Sequence, residues 1–144
     1  MKIVVDADAC PVTAFAVEAA AKYHLACMLV CDHTHSIEYE GAKTIIVDKG
    51  ADSADLKIAN LLCAGDIVIT QDYGLATLCL AKKAKVLSQN GLIFTEENID
   101  TLLFSRHIHK KAMRAGKHVK GPKKRTAEND EAFLKAFYTL LEKN

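Results

Sequence analysis

Proline is scarce in this chain, two among 144 residues, and neither a repeat period nor a low-complexity tract is present. Collagen-like, solenoid and disordered architectures are thereby excluded. No uncharged apolar run approaches the ~20 residues that cross a bilayer as a helix. The first residues show no cationic stretch leading into an apolar one of signal-peptide type, so the expectation is a cytoplasmic protein. No C-x-x-C pair occurs. The five cysteines, Cys10, Cys27, Cys31, Cys63 and Cys79, are odd in number and mostly sit inside apolar segments, where they act as small hydrophobes. A structural zinc site is disfavoured, the stretch Cys31-Asp32-His33-Thr34-His35 being the one place with ligand-like composition.

What is present is a globular composition, half of it apolar, at a length that suits one domain over residues 1–144 with a single core. Net charge is +1, but it is segregated. Residues 106–125 carry Arg106, Lys110, Lys111, Arg114, Lys117, Lys120, Lys123, Lys124 and Arg125 with no acid, a net +9. Residues 1–105 hold eight bases against fourteen acids, a net −6. An acidic body beside a basic arm suits a protein that holds metal ions with one part and a phosphate backbone with the other. The nine cations are therefore candidate nucleic-acid contacts, against the plain alternative of a solvated arm.

The run Lys2-Ile3-Val4-Val5-Asp6-Ala7-Asp8-Ala9-Cys10-Pro11 organises the rest. Its apolar, β-branched start predicts a strand buried on both faces, and Pro11 predicts the first position of a helix. Asp6 and Asp8 then fall at the carboxyl end of a strand, where open parallel sheets collect ligands. Down the chain, pattern predicts a helix from Val12 to about Tyr23 and strands at Leu25–Val30 and Lys43–Val47. Residues 32–41 read as a polar turn. A helix follows from Asp52, with Asp52-Ser53-Ala54-Asp55 resembling a capping box. Asp55, Ala59 and Leu62 share a side of it, aiming Asp55 toward the sheet edge.

Gly65 ends that helix. A strand at Ile67–Thr70 comes next, then a helix from Tyr73 to about Lys83 and strands at Lys85–Leu87 and Leu92–Phe94. Thr95 reads as a cap, with Glu96 and Glu97 complementing the helix dipole in the first turn and Lys110, Lys111 and Arg114 toward the far end; Gly116 and Gly121-Pro122 then break the chain, so the cationic segment reads as part helix and part loop. A last helix from Ala127 to Leu141 presents Phe133, Ala136, Phe137, Leu140 and Leu141 on a face that must dock on the sheet. Strand and helix alternate, which predicts a three-layer α/β/α domain with a mainly parallel sheet. Such a fold can bring Asp6 and Asp8, Asp52 and Asp55, and Asp72 to one edge. Asp66 precedes its strand, lies at the opposite edge and reads as structural.

Two like charges about 4 Å apart repel by roughly 4 kcal/mol at a protein surface, so converging aspartates need a cation. Hard oxygen ligands suit Mg²⁺ or Mn²⁺, and such a site can cleave a phosphodiester with activated water and no covalent intermediate.

Asp55-Leu56-Lys57-Ile58-Ala59, with Gly65 to Asp72 ending in Thr70-Gln71-Asp72, resembles the third-acid helix and the Thr-x-Asp strand end of PIN-like nucleases, and Val5-Asp6-Ala7-Asp8 resembles their first strand. More closely, Val5 to Pro11, Ala54-Asp55, Thr70 to Ala76, and Gly121-Pro122 with Arg125 and Asp130 resemble the YaiI/YqxD family of uncharacterised bacterial proteins across nearly the whole chain. The PIN resemblance implies a metal-dependent ribonuclease. Asp6 would be the central ligand, Asp55 and Asp72 would complete the cage, and Asp8 or Asp52 would stand second. It departs from the pattern at an early helix, where Glu18 is the one candidate for the further acid.

Two alternatives stand beside this reading. One is a haloacid-dehalogenase-type phosphohydrolase with Asp6 as nucleophile and Asp8 as acid and base, although Cys10 and the Asp66–Asp72 spacing depart from that pattern. The other is a non-catalytic RNA-binding module. Cys10 reads as a packed neutral thiol more than a reactive one. His107, His109 and His118 read as additions to the basic surface, no acid or cysteine being their sequence neighbour. Tyr73, beside Asp72, reads as a core residue or a base-stacking one.

Overall fold

The computed structural model describes residues 1–33, 37–50, 53–116 and 124–143. Its strands are β1 (Lys2–Asp6), β2 (Ala26–Asp32), β3 (Lys43–Val47), β4 (Ile67–Ile69), β5 (Lys85–Leu87) and β6 (Ile93–Phe94). The helices are α1 (Thr13–Lys22), α2 (Ser53–Leu61), α3 (Tyr73–Ala81), α4 (Glu96–Arg114) and α5 (Ala127–Glu142). The strands form one sheet in the order β3-β2-β1-β4-β5-β6, parallel except for β6, which pairs antiparallel with β5. The expected α/β/α domain is thus present.

Alternation along the strands divides the core in two. Ile3, Val5, Leu29, Ile67, Ile69 and Leu87 face one side, where α1 and α5 cover them with Ala16, Ala20, Phe133 and Phe137. Val4, Val30, Val68 and Val86 face the other, under Ile58 of α2, Leu75 and Cys79 of α3, and Ile99 of α4. The central strands are buried on both faces, as their uninterrupted apolar runs require. The last helix docks by the face predicted for it, with Phe133 and Phe137 fully buried.

One local reading differs. Pro11 lies in a turn and α1 starts at Thr13, because Ala9 takes a left-handed φ of 56° and the chain turns once more, Cys10 N–H donating to the Ala7 carbonyl, before the helix begins. The helix read from Thr95 is α4, and it runs through Arg106 to Arg114 with Lys110, Lys111 and Arg114 toward its far end as expected; its cap is a reciprocal box, in which Asn98 N–H donates to Thr95 Oγ1 at 3.1 Å and Thr95 N–H donates to Asn98 Oδ1 at 2.9 Å. The capping box proposed around Asp52 lies outside the described residues.

At the amino edge of the sheet, Asp66 is structural as expected. It is 2% exposed, pairs with the Lys2 ammonium, and accepts the Cys63 N–H at 2.8 Å and the Lys2 N–H at 3.1 Å. Burial pushes its carboxyl up, yet Lys2 and these amides outweigh burial and hold it below the usual carboxylate range.

Candidate active site

Strand order reverses between β1 and β4: the chain steps outward from β1 to β2 and β3, then returns to the other side of β1. A crevice opens at such a switch point, at the carboxyl ends of the strands. Asp6 closes β1 there. By alternation it shares a face with Val4, the face covered by α2, α3 and α4, and so it points at the three helices that carry the other candidates.

Asp6 is half-buried, and its Oδ2 accepts the Thr70 hydroxyl at 2.9 Å. Its carboxyl is raised to about 6, chiefly by burial and further by the charges of Asp55, Asp8 and Asp72, with the Thr70 bond opposing. Four acids drawn from β1, the turn after it, α2 and α3 therefore share one electrostatic neighbourhood. The buried Cys79 thiol of α3, pushed up to about 12 mainly by burial, also feels Asp55 and Asp6. Asp55 and Asp72 thus lie near enough to Asp6 for their charges to act on its carboxyl.

Each acid is held differently. Asp72 caps α3: its Oδ1 accepts from Gly74 N–H at 2.9 Å and Leu75 N–H at 3.1 Å, and its own N–H donates to Thr70 Oγ1 at 3.0 Å. Thr70 thereby joins Asp6 to Asp72. Asp8 turns toward the neighbouring strand, where both its oxygens accept the Asp32 N–H, at 3.2 and 3.3 Å. This contact ties the β1 turn to β2. Asp55 is half-buried in the first turn of α2 and shares a cleft with Asp72, Arg106, His107 and Lys110. Asp52, the fifth candidate, lies outside the described residues.

Among the described residues, no three His, Cys, Asp or Glu side chains already stand close enough to enclose a metal ion. The donor chemistry nonetheless fits Mg²⁺ or Mn²⁺. Among the described residues, Asp6 Oδ1 and Asp72 Oδ2 carry no hydrogen bond, giving two hard oxygen donors; Mg²⁺ characteristically takes one or two carboxylates and completes its shell with water and phosphate.

The clefts that hold these acids are also lined by cationic residues of α4. Leu102, Arg106, His109 and Lys110 recur at helical spacing on one face of α4. Arg106 and His109 line a cavity of about 570 Å³ with Asp6, Asp72 and Tyr73, while Arg106, His107 and Lys110 line the adjoining cleft over Asp55. His107 and His109 thus share these cavities with acids that are remote in sequence. The signal for His109 was its i, i+3 step from Arg106 on the helix that starts at Thr95. Lys111 faces away, with Ile108 and Ala115, and Arg114 is exposed in the last turn.

Arg125 is spent on structure. Its guanidinium pairs with Asp130 at 2.7 Å and donates to Asn90 Oδ1 at 2.8 Å and the Gln89 carbonyl at 2.9 Å, pinning α5 to the β5–β6 turn. Lys124 is exposed beside it; Lys117, Lys120, Lys123 and His118 lie outside the described residues. Cys10 is half-buried, and burial pushes its thiol up, in keeping with a packed neutral cysteine.

The family model described as "Uncharacterized BCR, YaiI/YqxD family" matches residues 4–143. The chain belongs to the YaiI/YqxD family. It is 48% identical over 141 residues to a UPF0178 protein of Exiguobacterium sibiricum, covering 98% of this chain and 96% of the relative. A UPF0178 protein of Ruminiclostridium cellulolyticum is also 48% identical over 141 residues, covering 98% and 92%. One from Clostridium acetobutylicum is 44% identical over 143 residues, covering 98% and 97%. No solved structure matches the chain. Among the described residues, no helix is long and apolar enough to cross a membrane.

Proposed function

We propose that this member of the YaiI/YqxD family is a PIN-like, Mg²⁺- or Mn²⁺-dependent ribonuclease that hydrolyses phosphodiester bonds with water. The observation that carries the reading is Asp6, half-buried at the switch point, where burial and the lesser charges of Asp55, Asp8 and Asp72 raise its carboxyl to about 6, in a cavity shared with Asp72 and with Arg106 of α4. An acid floor under a basic wall is the arrangement that a phosphodiester and a divalent cation require together.

Asp6 and Asp72 would hold the ion through their spare oxygens, with Asp55 beside them. Bound there, the ion would supply a water acidic enough to act as hydroxide near neutral pH and would screen the charge on the phosphate. The protein's own residues do the rest. Thr70 fixes Asp6 against Asp72, the α3 amides fix Asp72, and Asp8 keeps the β1 turn from swinging away. Arg106 and Lys110 offer the charge that draws a phosphate over the floor. The aspartyl-phosphate alternative gains no support, since Asp8, its acid and base, has both oxygens turned to the Asp32 amide.

The test is cleavage of end-labelled single-stranded RNA with and without Mn²⁺. Asp72→Asn is the informative variant, because Asn caps a helix as well as Asp and the fold survives the change. The expected result is Mn²⁺-dependent cleavage that falls by at least about 100-fold in Asp72→Asn. Salt-sensitive RNA binding without cleavage by the unaltered protein would instead make it a binding module.

A further inference from the structure

The cavity of about 570 Å³ has three chemically distinct walls. Asp6 and Asp72 form the first, Arg106 and His109 the second, Tyr73 and Leu102 the third. We propose that it is a subsite for one nucleotide unit, with the phosphate between Arg106 and the acid wall and the base laid on Tyr73 and Leu102. The proposal takes its ligand class from the phosphodiester reading above, while its test measures binding alone.

Size is the first argument. The volume falls within the ~300–1,000 Å³ of small-molecule sites, several times what a phosphate ion needs. The apolar wall is the second: a site for a bare anion has no use for an aromatic ring and an aliphatic side chain, whereas a base has a face to bury on both. Tyr73 is already oriented for this. Its ring makes an edge contact with Phe94 at 5.6 Å and 64°, so the entropy of fixing the platform is spent in folding rather than in binding. Gln71 supplies the third. Its Oε1 accepts the Gln89 N–H at 3.0 Å, which sets the carboxamide and leaves the NH₂ as a donor at the cavity rim, matched to a base carbonyl such as those of uracil.

Isothermal titration of the full chain at fixed Mg²⁺ with uridine 5′-monophosphate, uridine and inorganic phosphate tests this. The nucleotide is expected to bind at least tenfold tighter than either fragment. Ser105 is an exposed α4 residue on the cavity wall, so Ser105→Trp fills the cavity without touching the core. That variant is expected to weaken the nucleotide at least tenfold and leave inorganic phosphate unchanged; Arg106→Ala is expected to weaken both, and Lys135→Ala, on the distant face of α5, neither. Equal affinity for nucleotide and inorganic phosphate, nucleotide binding unaltered in Ser105→Trp, or no binding of any probe overturns the subsite. Nucleotide binding as expected in a protein that cleaves no RNA removes the nuclease reading and leaves the subsite standing. Cleavage with the nucleotide no tighter than phosphate does the reverse.

Discussion

Asp6 carries an unusual burden for an aspartate, being half-buried among three other acids with one hydroxyl as its partner. Its carboxyl rises from 3.8 to about 6 on folding, so between those values the native state binds more protons than the unfolded one. Stability at this site is therefore greatest below pH ~4 and falls as pH rises through about 6, the reverse of a salt-bridged aspartate; the whole effect is about 3 kcal/mol. Asp6→Asn keeps an acceptor for Thr70 and removes the charge. In the absence of metal it is expected to melt several degrees above the unaltered protein at pH 8 and close to it at pH 4.5, checked by thermal denaturation in chelator. An equal difference at both pH values would show that charge burial is not the cause. Asp6, Asp55 and Asp72 were legible in the sequence because each follows or opens an element of obvious type. The tie from Asp8 to Asp32 was not, since it depends on how far β2 runs beyond its apolar core.

The elements were legible wherever one pattern held across them. β1, β3 and β4 are short apolar runs, and α5 announces its docking face by five apolar residues at helical spacing. α4 carries less pattern, because beyond Leu103 its side chains are cationic, polar or exposed apart from the half-buried Ala112, and a helix that leaves the core loses its apolar stripe there. Its cap at Thr95 and its cationic far end at Lys110, Lys111 and Arg114 were readable; that Arg106 and Lys110 stand over the acids depends on packing and was not. The β5–β6 turn shows the opposite case, a tight fit without a sequence signal. Gly91 has φ +85°, and a Cβ there would lie 2.4 Å from the Ala132 carbonyl of α5. Gly91→Ala is expected to cost about 1–2 kcal/mol for the left-handed backbone, with the clash in addition. Chemical denaturation should show the loss as a lower transition midpoint.

Across the whole molecule the charge segregation seen in the sequence becomes a spatial one. Arg106 and Lys110 of α4 line clefts shared with Asp6, Asp55 and Asp72. Single-stranded RNA binding should then weaken linearly in logarithmic terms with salt, each phosphate contact adding about 0.7 to the slope. Arg106→Gln with Lys110→Gln is expected to flatten that slope by roughly 1.4, measured by fluorescence anisotropy across salt concentrations. An unchanged slope would place the RNA elsewhere on the surface. The central claim, that carboxylates from separate elements form one divalent-cation site, is tested most directly by electron paramagnetic resonance of free Mn²⁺ titrated with the protein. The unaltered chain is expected to deplete the free-ion signal in proportion to its concentration and Asp6→Asn to leave it nearly intact; a free-ion signal that the unaltered chain does not diminish would contradict the account.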